Sequence, residues 1–333
     1  MRAVVCHQYG PFEDMAVEDV PPPDLVENGV RIAVEAAGVG FAAGLVIAGR
    51  HQNRPPLPFI PGTEIAGTVI DGAEGFTPGD RVCAGVRWGG FAEQAIADAG
   101  NVFRIPDAMD FAAATHFPTI YATGYGGLVW RAQLQPDETL LVHGAAGASG
   151  LAAVEIGKAV GATVIATAGT VEKCAVATDH GADHVINYRE NDFRETVLEL
   201  TGGRGADVIY DPVGGDVFDQ SLRCIAPEGR ILPMGFAGGT IPKAPANILL
   251  VKNVSVIGLY WGYYMGWGKL PAPPAARVRV RDAMAHMFEW YEAGKLRPLT
   301  QAELPLDRFA EALATVMERR VIGKVVLTPL SAP

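Results

Sequence analysis

The stretch Thr139-Leu140-Leu141-Val142-His143-Gly144-Ala145-Ala146-Gly147-Ala148-Ser149-Gly150 decides the fold. A short apolar run of strand length enters a turn with glycine at every third position. The turn opens directly onto Ala148–Val160, where Leu151, Val154, Ala159 and Val160 recur at helical spacing among small residues. Backbone that turns this tightly, with so little side chain, can approach a diphosphate closely. The free amides and the dipole of the following helix then favour the anion, and a glycine at position 150 lets that helix pack close to the strand. The motif therefore predicts a dinucleotide site in which Gly144, Ala146, Gly147, Ala148, Ser149 and Gly150 meet the cofactor. A purely structural tight turn is the alternative.

Working outward from the turn, strand-like and helix-like segments alternate. Strands are expected at 139–144, 163–167, 184–188, 207–210, 230–234 and 254–260. Helices are expected at 148–160, 171–180, 192–200 and 216–224. Such alternation implies right-handed crossovers and a parallel, doubly wound sheet of the Rossmann type, with 254–260 at its edge. Residues 1 to about 122 read differently. Val30–Ala36 alternates with period two, Pro78-Gly79-Asp80 turns into a strand, and Pro21-Pro22-Pro23 and Pro55-Pro56-Leu57-Pro58 exclude helix. That part is expected to be mostly β. A helix near 276–294 carries Met284, Met287, Phe288 and Tyr291 as a core stripe. The tail Gly323-Lys324-Val325-Val326-Leu327 is a strand positioned to rejoin the β-rich part.

The end of the second strand of such a fold chooses between the two nicotinamide dinucleotides. An acid about twenty residues beyond the turn would bond the ribose hydroxyls and repel a 2′-phosphate. Here the sequence reads Ala168-Gly169-Thr170-Val171-Glu172-Lys173. Thr170 is small and uncharged, Gly169 leaves room, and Lys173 sits one turn into the next helix. A charge-assisted contact from Lys173 to a 2′-phosphate would be worth roughly 1.5–3 kcal/mol. NADPH is the expected cofactor, although Lys173 read alone is equally an ordinary solvated lysine.

Bulk properties bound the remaining possibilities. The chain has 333 residues, enough for two cores. It is 49% hydrophobic and 19% charged, with a formal net charge of −10, which argues against nucleic-acid or anionic-membrane partners. No apolar run reaches membrane-span length, and Met1-Arg2-Ala3-Val4-Val5-Cys6 reads as a first strand rather than a signal peptide. A soluble cytoplasmic protein is expected. Cys6, Cys83, Cys174 and Cys224 are scattered without a C-x-x-C pair, which predicts separate thiols and neither disulfides nor a structural zinc lobe.

Several segments together carry a resemblance: VHGAAGASGLAAVEIGKAVGA, ATAGTVEKC, GADHVINYRENDF, TGGRGADVIYDPVGG, PPLPFIPGTEIAGTV, PGDRV, FPTIYATGYGGL and the terminal GKVVL. In order and spacing they resemble the zinc-independent quinone oxidoreductase branch of the medium-chain dehydrogenase/reductases, over essentially the whole chain. The resemblance implies an α/β protein: a GroES-like, mostly-β catalytic domain (1–122 and 268–333) interrupted by a Rossmann domain (123–267), with the active cleft between them. It also implies roles. Thr123 would meet the nicotinamide-side phosphate, and the amides of Ala148 and Ser149 the pyrophosphate. Gly169, Lys173 and Tyr188 would flank the 2′-phosphate, while Val213, Phe236 and Lys324 would line the remaining cofactor. It pairs the strand at 254–260 with its copy in a homodimer.

In zinc-using relatives a Cys, a His and a Cys surround the metal. The matching positions here are Gly40, Thr63 and Thr119, none of them a ligand of the expected kind, so no metal is expected. Without a Lewis acid, hydride transfer suits an acceptor that is already electron-poor. The expected reaction is NADPH-dependent reduction of a quinone or an α,β-unsaturated carbonyl. Two departures leave alternatives open. The family's G-V-N-F-x-D reads Gly38-Val39-Gly40-Phe41-Ala42-Ala43, and its G-x-Y reads Gly49-Arg50-His51. His51 is accordingly either a proton donor or substrate anchor or a loop-anchoring histidine. Enoyl-thioester reduction of the enoyl-CoA type, or NADPH binding with little catalysis, are the other readings. The aromatic run 260–267 is either an acceptor pocket wall or support for a subunit interface.

Overall fold

The structure is a computed structural model that describes residues 1–52, 54–269 and 271–329. By its internal contacts the chain forms two units: Met1–Thr119, Gly262–Phe288 and Pro298–Pro333 in the first, Ile120–Trp261 and Glu289–Arg297 in the second.

In chain order, the first part of unit one holds β1 (Arg2–Val5), β2 (Ala16–Asp19), β3 (Gly29–Val39), α1 (Phe41–Ile47), β4 (Glu64–Gly72), β5 (Arg81–Gly85), β6 (Gln94–Asp98), β7 (Val102–Arg104) and α2 (Phe111–Ala114). Unit two begins with α3 (Ala122–Tyr125). It continues through β8 (Thr139–Val142), α4 (Ala148–Val160), β9 (Thr163–Ala168), α5 (Val171–Asp179), β10 (His184–Asn187), α6 (Phe193–Leu200), β11 (Ala206–Asp211), α7 (Asp216–Ser221), β12 (Ile225–Pro233), α8 (Ala246–Lys252) and β13 (Ser255–Val256). The short α9 (Trp261–Tyr264), the long α10 (Pro274–Glu292), β14 (Thr300–Pro305), α11 (Phe309–Met317) and β15 (Lys324–Thr328) follow.

Unit one is a mostly antiparallel sheet ordered β14-β15-β3-β4-β5-β7, with β6 also on β3. The terminal strand β15 pairs Val325, Val326 and Leu327 with Val39, Gly38 and Ala37, so the tail does rejoin the β-rich part. Its core is aliphatic: Val30, Ile32 and Val34 of β3, Ile65 of β4, Val82 and Ala84 of β5, and Leu313 of α11 are all fully buried. The period-two alternation of β3 follows from one of its faces being packed.

Unit two is a six-stranded parallel sheet ordered β10-β9-β8-β11-β12-β13. The chain winds from β8 outward to β10, then returns to β11 and winds the other way, which makes the β8/β11 boundary a topological switch point. Leu141, Ile165, Ile209 and Ile231 form its buried spine. Helices start where the sequence provides caps: Thr170 accepts from the amide of Lys173 to start α5, and Asp192 accepts from Arg194 and Glu195 to start α6.

One expected element is different. In place of a strand over 254–260, only Ser255–Val256 is strand, and Trp261 begins a helix. Trp261 is 5% exposed, and its ring lies 5.5 Å from that of Trp130. The indole is drawn into the core of unit two, and the strand ends early to allow it.

Candidate functional site

In unit two the glycine turn is a tight backbone turn that opens directly onto α4. Gly144 has φ +61, a left-handed conformation that favours glycine. The amide of Ala145 bonds the carbonyl of Thr167 at 3.0 Å, and that of Gly147 bonds Gly144 O at 3.1 Å, closing the turn. Helix α4 then begins at Ala148 with no side-chain cap, which leaves its first amides for a ligand. Gly150 is required by close approach: a Cβ there would lie 2.7 Å from the Cα of Ala145. The Ser149 hydroxyl lies 2.7 Å from that of Tyr210, whose own ionisation is pushed up to about 12 by burial. Ser149 is thus tied to β11.

The other cofactor candidates of this unit lie at the carboxyl ends of neighbouring strands. Following the sheet order these are Tyr188 after β10, Gly169 and Thr170 after β9, the glycine turn after β8, Val213 after β11, and Phe236 after β12. This row is where an open parallel sheet binds ligands. Tyr188 is held by its amide to Ala168 O at 3.1 Å, and its phenol covers Gly169 so closely that a Cβ at 169 would strike it. Lys173 has its ammonium pKa lowered by burial and by the positive charge of Arg189. Arg189 thus joins Lys173, Gly169 and Tyr188, and the sequence reading had passed over it. It stands next to Tyr188 in Asn187-Tyr188-Arg189, and its charge reaches Lys173, sixteen positions earlier on α5.

A second residue missed in the sequence is Asp211. It is fully buried, accepts from the amides of Val213 and Gly214 at 2.8 and 3.0 Å, and its other carboxylate oxygen has no partner among the described residues. Burial pushes its pKa up. Asp211 shapes the β11 turn that carries Val213, and Val213 in turn approaches Gly144. Thr123, half-buried on α3, lies between two π-helical turns, Phe117–Tyr121 and Gly126–Arg131.

Lys324 and His51 belong to unit one. Lys324 is 2% exposed; its ammonium donates to Glu64 Oε2 and, at 2.9 Å, to the carbonyl of Thr115. Thr119 donates its hydroxyl to the other Glu64 oxygen. Gly38 makes this possible, since a Cβ there would collide with the lysine side chain. Burial lowers the Lys324 pKa, and Glu64 opposes that shift. The same surroundings push His116, also buried, well below its ordinary pKa, first through desolvation and then through Lys324. Gly40 faces Glu64 Oε1 with no other atom within 4 Å of the position its Cβ would take. His51 follows α1, half-buried, with its amide on Leu45 O at 3.1 Å.

A zinc ion does not fit the donors present. Of Gly40, Thr63 and Thr119, only the threonines have side-chain oxygens, and Thr119 is already committed to Glu64, whose carboxylate is held by an ammonium. Among the described residues no group of three or more His, Cys, Asp or Glu side chains is arranged to hold a metal ion. The four cysteines are free, with Cys6, Cys83 and Cys224 buried.

A glycine turn at the switch point of a parallel sheet, in a chain whose β-rich unit takes back the C-terminal strand, defines a dinucleotide-dependent oxidoreductase of the medium-chain type. Comparison with known proteins gives the branch. Residues 26–107 match the alcohol dehydrogenase GroES-like domain, and residues 148–272 match the zinc-binding dehydrogenase domain. The quinone oxidoreductase-like protein 2 homolog of Nematostella vectensis is 40% identical over 333 residues, covering 98% of this chain and 88% of that protein. A probable oxidoreductase from Mycobacterium abscessus superposes with a TM-score of 0.88 at 34% identity, over 99% of both chains. Escherichia coli quinone oxidoreductase complexed with NADPH superposes with a TM-score of 0.90 at 29% identity, over 99% of this chain and 100% of that one. The chain belongs to the quinone oxidoreductase branch of the medium-chain dehydrogenase/reductase superfamily.

Proposed function

We propose that this protein is a metal-independent reductase that transfers hydride from NADPH to a quinone or an α,β-unsaturated carbonyl. The observation that carries the reading is the constellation at the end of β9: no acid at Thr170, two cations at Lys173 and Arg189, and a phenol at Tyr188 set over Gly169. A 2′-phosphate dianion fits this charge, and the E. coli relative was crystallised with NADPH. The uncapped start of α4 takes the pyrophosphate. Thr123, Val213 and Phe236 are assigned to the rest of the cofactor. Lys324 is assigned to the same role by resemblance alone, since its ammonium is already engaged by Glu64.

The bound nicotinamide supplies the hydride. The chain's own residues hold it, and Gly40, Thr63 and Thr119 offer no Cys or His ligand for a metal. An electron-poor acceptor needs no further activation. His51 is assigned proton donation to the reduced acceptor or its anchoring. With His51→Phe, an unchanged rate and pH profile for enone reduction would remove that role.

Association as a homodimer in the cytoplasm belongs to the same proposal. Strand β13 ends the sheet, and Leu250 and Val251 of α8 are 77% and 73% exposed, an apolar surface of the kind that a second copy covers. No helix among the described residues is long and apolar enough to cross a membrane.

NADPH oxidation by para-benzoquinone, a short enone and crotonyl-CoA tests the reading. Turnover of the first two supports it. Selective turnover of crotonyl-CoA would favour a thioester reductase, and NADPH binding without turnover of any acceptor would make the protein a cofactor-binding one.

A further inference from the structure

The first unit contains a groove of about 540 Å³ that the cofactor reading does not use. Its volume lies within the roughly 300–1,000 Å³ of small-molecule sites. One wall is a face of α10: Arg277, Arg281, Met284 and Phe288 recur at intervals of four, three and four residues and so share a side of the helix. Of the alternating arginines at 277, 279 and 281, the first and last thus point the same way. Arg104 of β7 faces them from the other wall, with Phe76 beside it.

Two of the three guanidinium groups are held in place. Arg104 reaches Asp80 at 2.7 Å and stacks 5.1 Å above the Phe76 ring. Arg277 lies 3.4 Å from Asp98, against the bare backbone of Gly100, where a Cβ would come within 2.9 Å of it. Arg281, exposed, has no paired side chain among the described residues. Glu74 also lines the groove, and Asp80 and Asp98 pair with two of its three arginines, so Arg281 is the guanidinium left open to a ligand. Planar guanidinium forks match phosphate oxygens, and aromatic walls match a flat apolar body.

We propose that this groove is a binding site for a phosphate monoester carrying an aromatic or similarly flat apolar group. The phosphate takes Arg281, with Arg104 and Arg277 beside it held in place by Asp80 and Asp98, and the body packs on Phe76 and Phe288. Neither the nicotinamide cofactor nor the reading of the second unit enters into this assignment.

The test is isothermal titration of the full chain with 1-naphthyl phosphate, with and without saturating NADPH. The expected result is saturable binding that NADPH leaves unchanged. It should weaken about tenfold in Arg281→Gln, further in the Arg277→Gln/Arg281→Gln double variant, and also at raised salt. 1-Naphthol and inorganic phosphate should each bind more weakly than the ester. Absence of saturable binding, equal affinity in the double variant, or displacement by NADPH would overturn the proposal. Phe76→Leu gives an independent check on the apolar wall, since it should weaken the ester and leave inorganic phosphate unaffected.

Discussion

At the scale of the residue, the proposed cofactor choice and the acid sensitivity turn on a few side chains whose neighbours come from distant parts of the sequence. Burial and then the nearby positive charge of Arg189 lower the Lys173 pKa, and a phosphate dianion would offset both. Lys173→Ala should raise the dissociation constant for NADPH about ten- to a hundredfold and leave that for NADH nearly unchanged. Arg189→Ala should act in the same direction, and fluorescence titration with the two dinucleotides measures both. His143 shows a different effect. It is buried, with Nε2 2.9 Å from Ser221 Oγ and Nδ1 3.0 Å from Thr167 Oγ1. The Ser221 proton goes to the carbonyl of Val217 at 2.7 Å, so Nε2–H donates to Ser221 and Nδ1 accepts from Thr167. The neutral ring satisfies every partner, and burial lowers its pKa to about 3. The folded state therefore binds fewer protons than the unfolded one. The stability this ring contributes is fully present above the ordinary histidine pKa of about 6.5 and is lost as pH falls from there toward 3. The loss should reach roughly 2 kcal/mol by pH 5. Denaturant titrations at several pH values should show this slope, and His143→Asn should flatten it.

At the scale of the element, Glu155 of α4 has the largest structural consequence. It is 1% exposed and accepts from the Tyr121 hydroxyl at 2.5 Å, from the His180 ring at 2.5 Å and from the amide of Arg297 at 3.0 Å. It therefore ties the start of unit two, the end of α5 and the returning segment Glu289–Arg297 to one helix. Glu155→Leu would leave several buried donors unpaired and should cost about 3–5 kcal/mol in chemical denaturation. Glu155→Gln, which keeps an acceptor, should cost less. Nothing in the sequence marked this residue, because Glu155 falls in an apolar helical stretch and its partners lie 25 to 142 positions away. By contrast α4, α5 and the parallel strands were legible, since local periodicity and capping residues encode them. The glycine turn was legible for the same reason: Gly144 and Gly150 are needed by backbone geometry that their own spacing announces. The strand at 254–260 was misread because burial of Trp261 is a tertiary effect that overrides local β-propensity. Arg189, Asp211 and the Glu64–Lys324 pair were out of reach for a related reason. Arg189 and the Glu64–Lys324 pair matter through partners distant in sequence, Glu64 and Lys324 being separated by 260 positions, and Asp211 matters through the burial that the folded sheet gives it.

At the scale of the whole molecule, the chain passes between its two units at Thr119/Ile120, Trp261/Gly262, Phe288/Glu289 and Arg297/Pro298. Each unit has its own apolar core. If a second copy covers β13 and α8, sedimentation should give a dimer mass, and Leu250→Asp with Val251→Asp should give a monomer that still binds NADPH. The central proposal for this protein is hydride transfer from NADPH to an electron-poor acceptor without a metal. Its most direct test is single-turnover stopped flow of the chelator-treated protein, loaded with NADPH and mixed with para-benzoquinone, following nicotinamide absorbance. The expected result is full oxidation of bound NADPH, slowed by deuterium at the transferred position and unaffected by added zinc. Failure of the bound cofactor to oxidise, or oxidation only after zinc is restored, would contradict it.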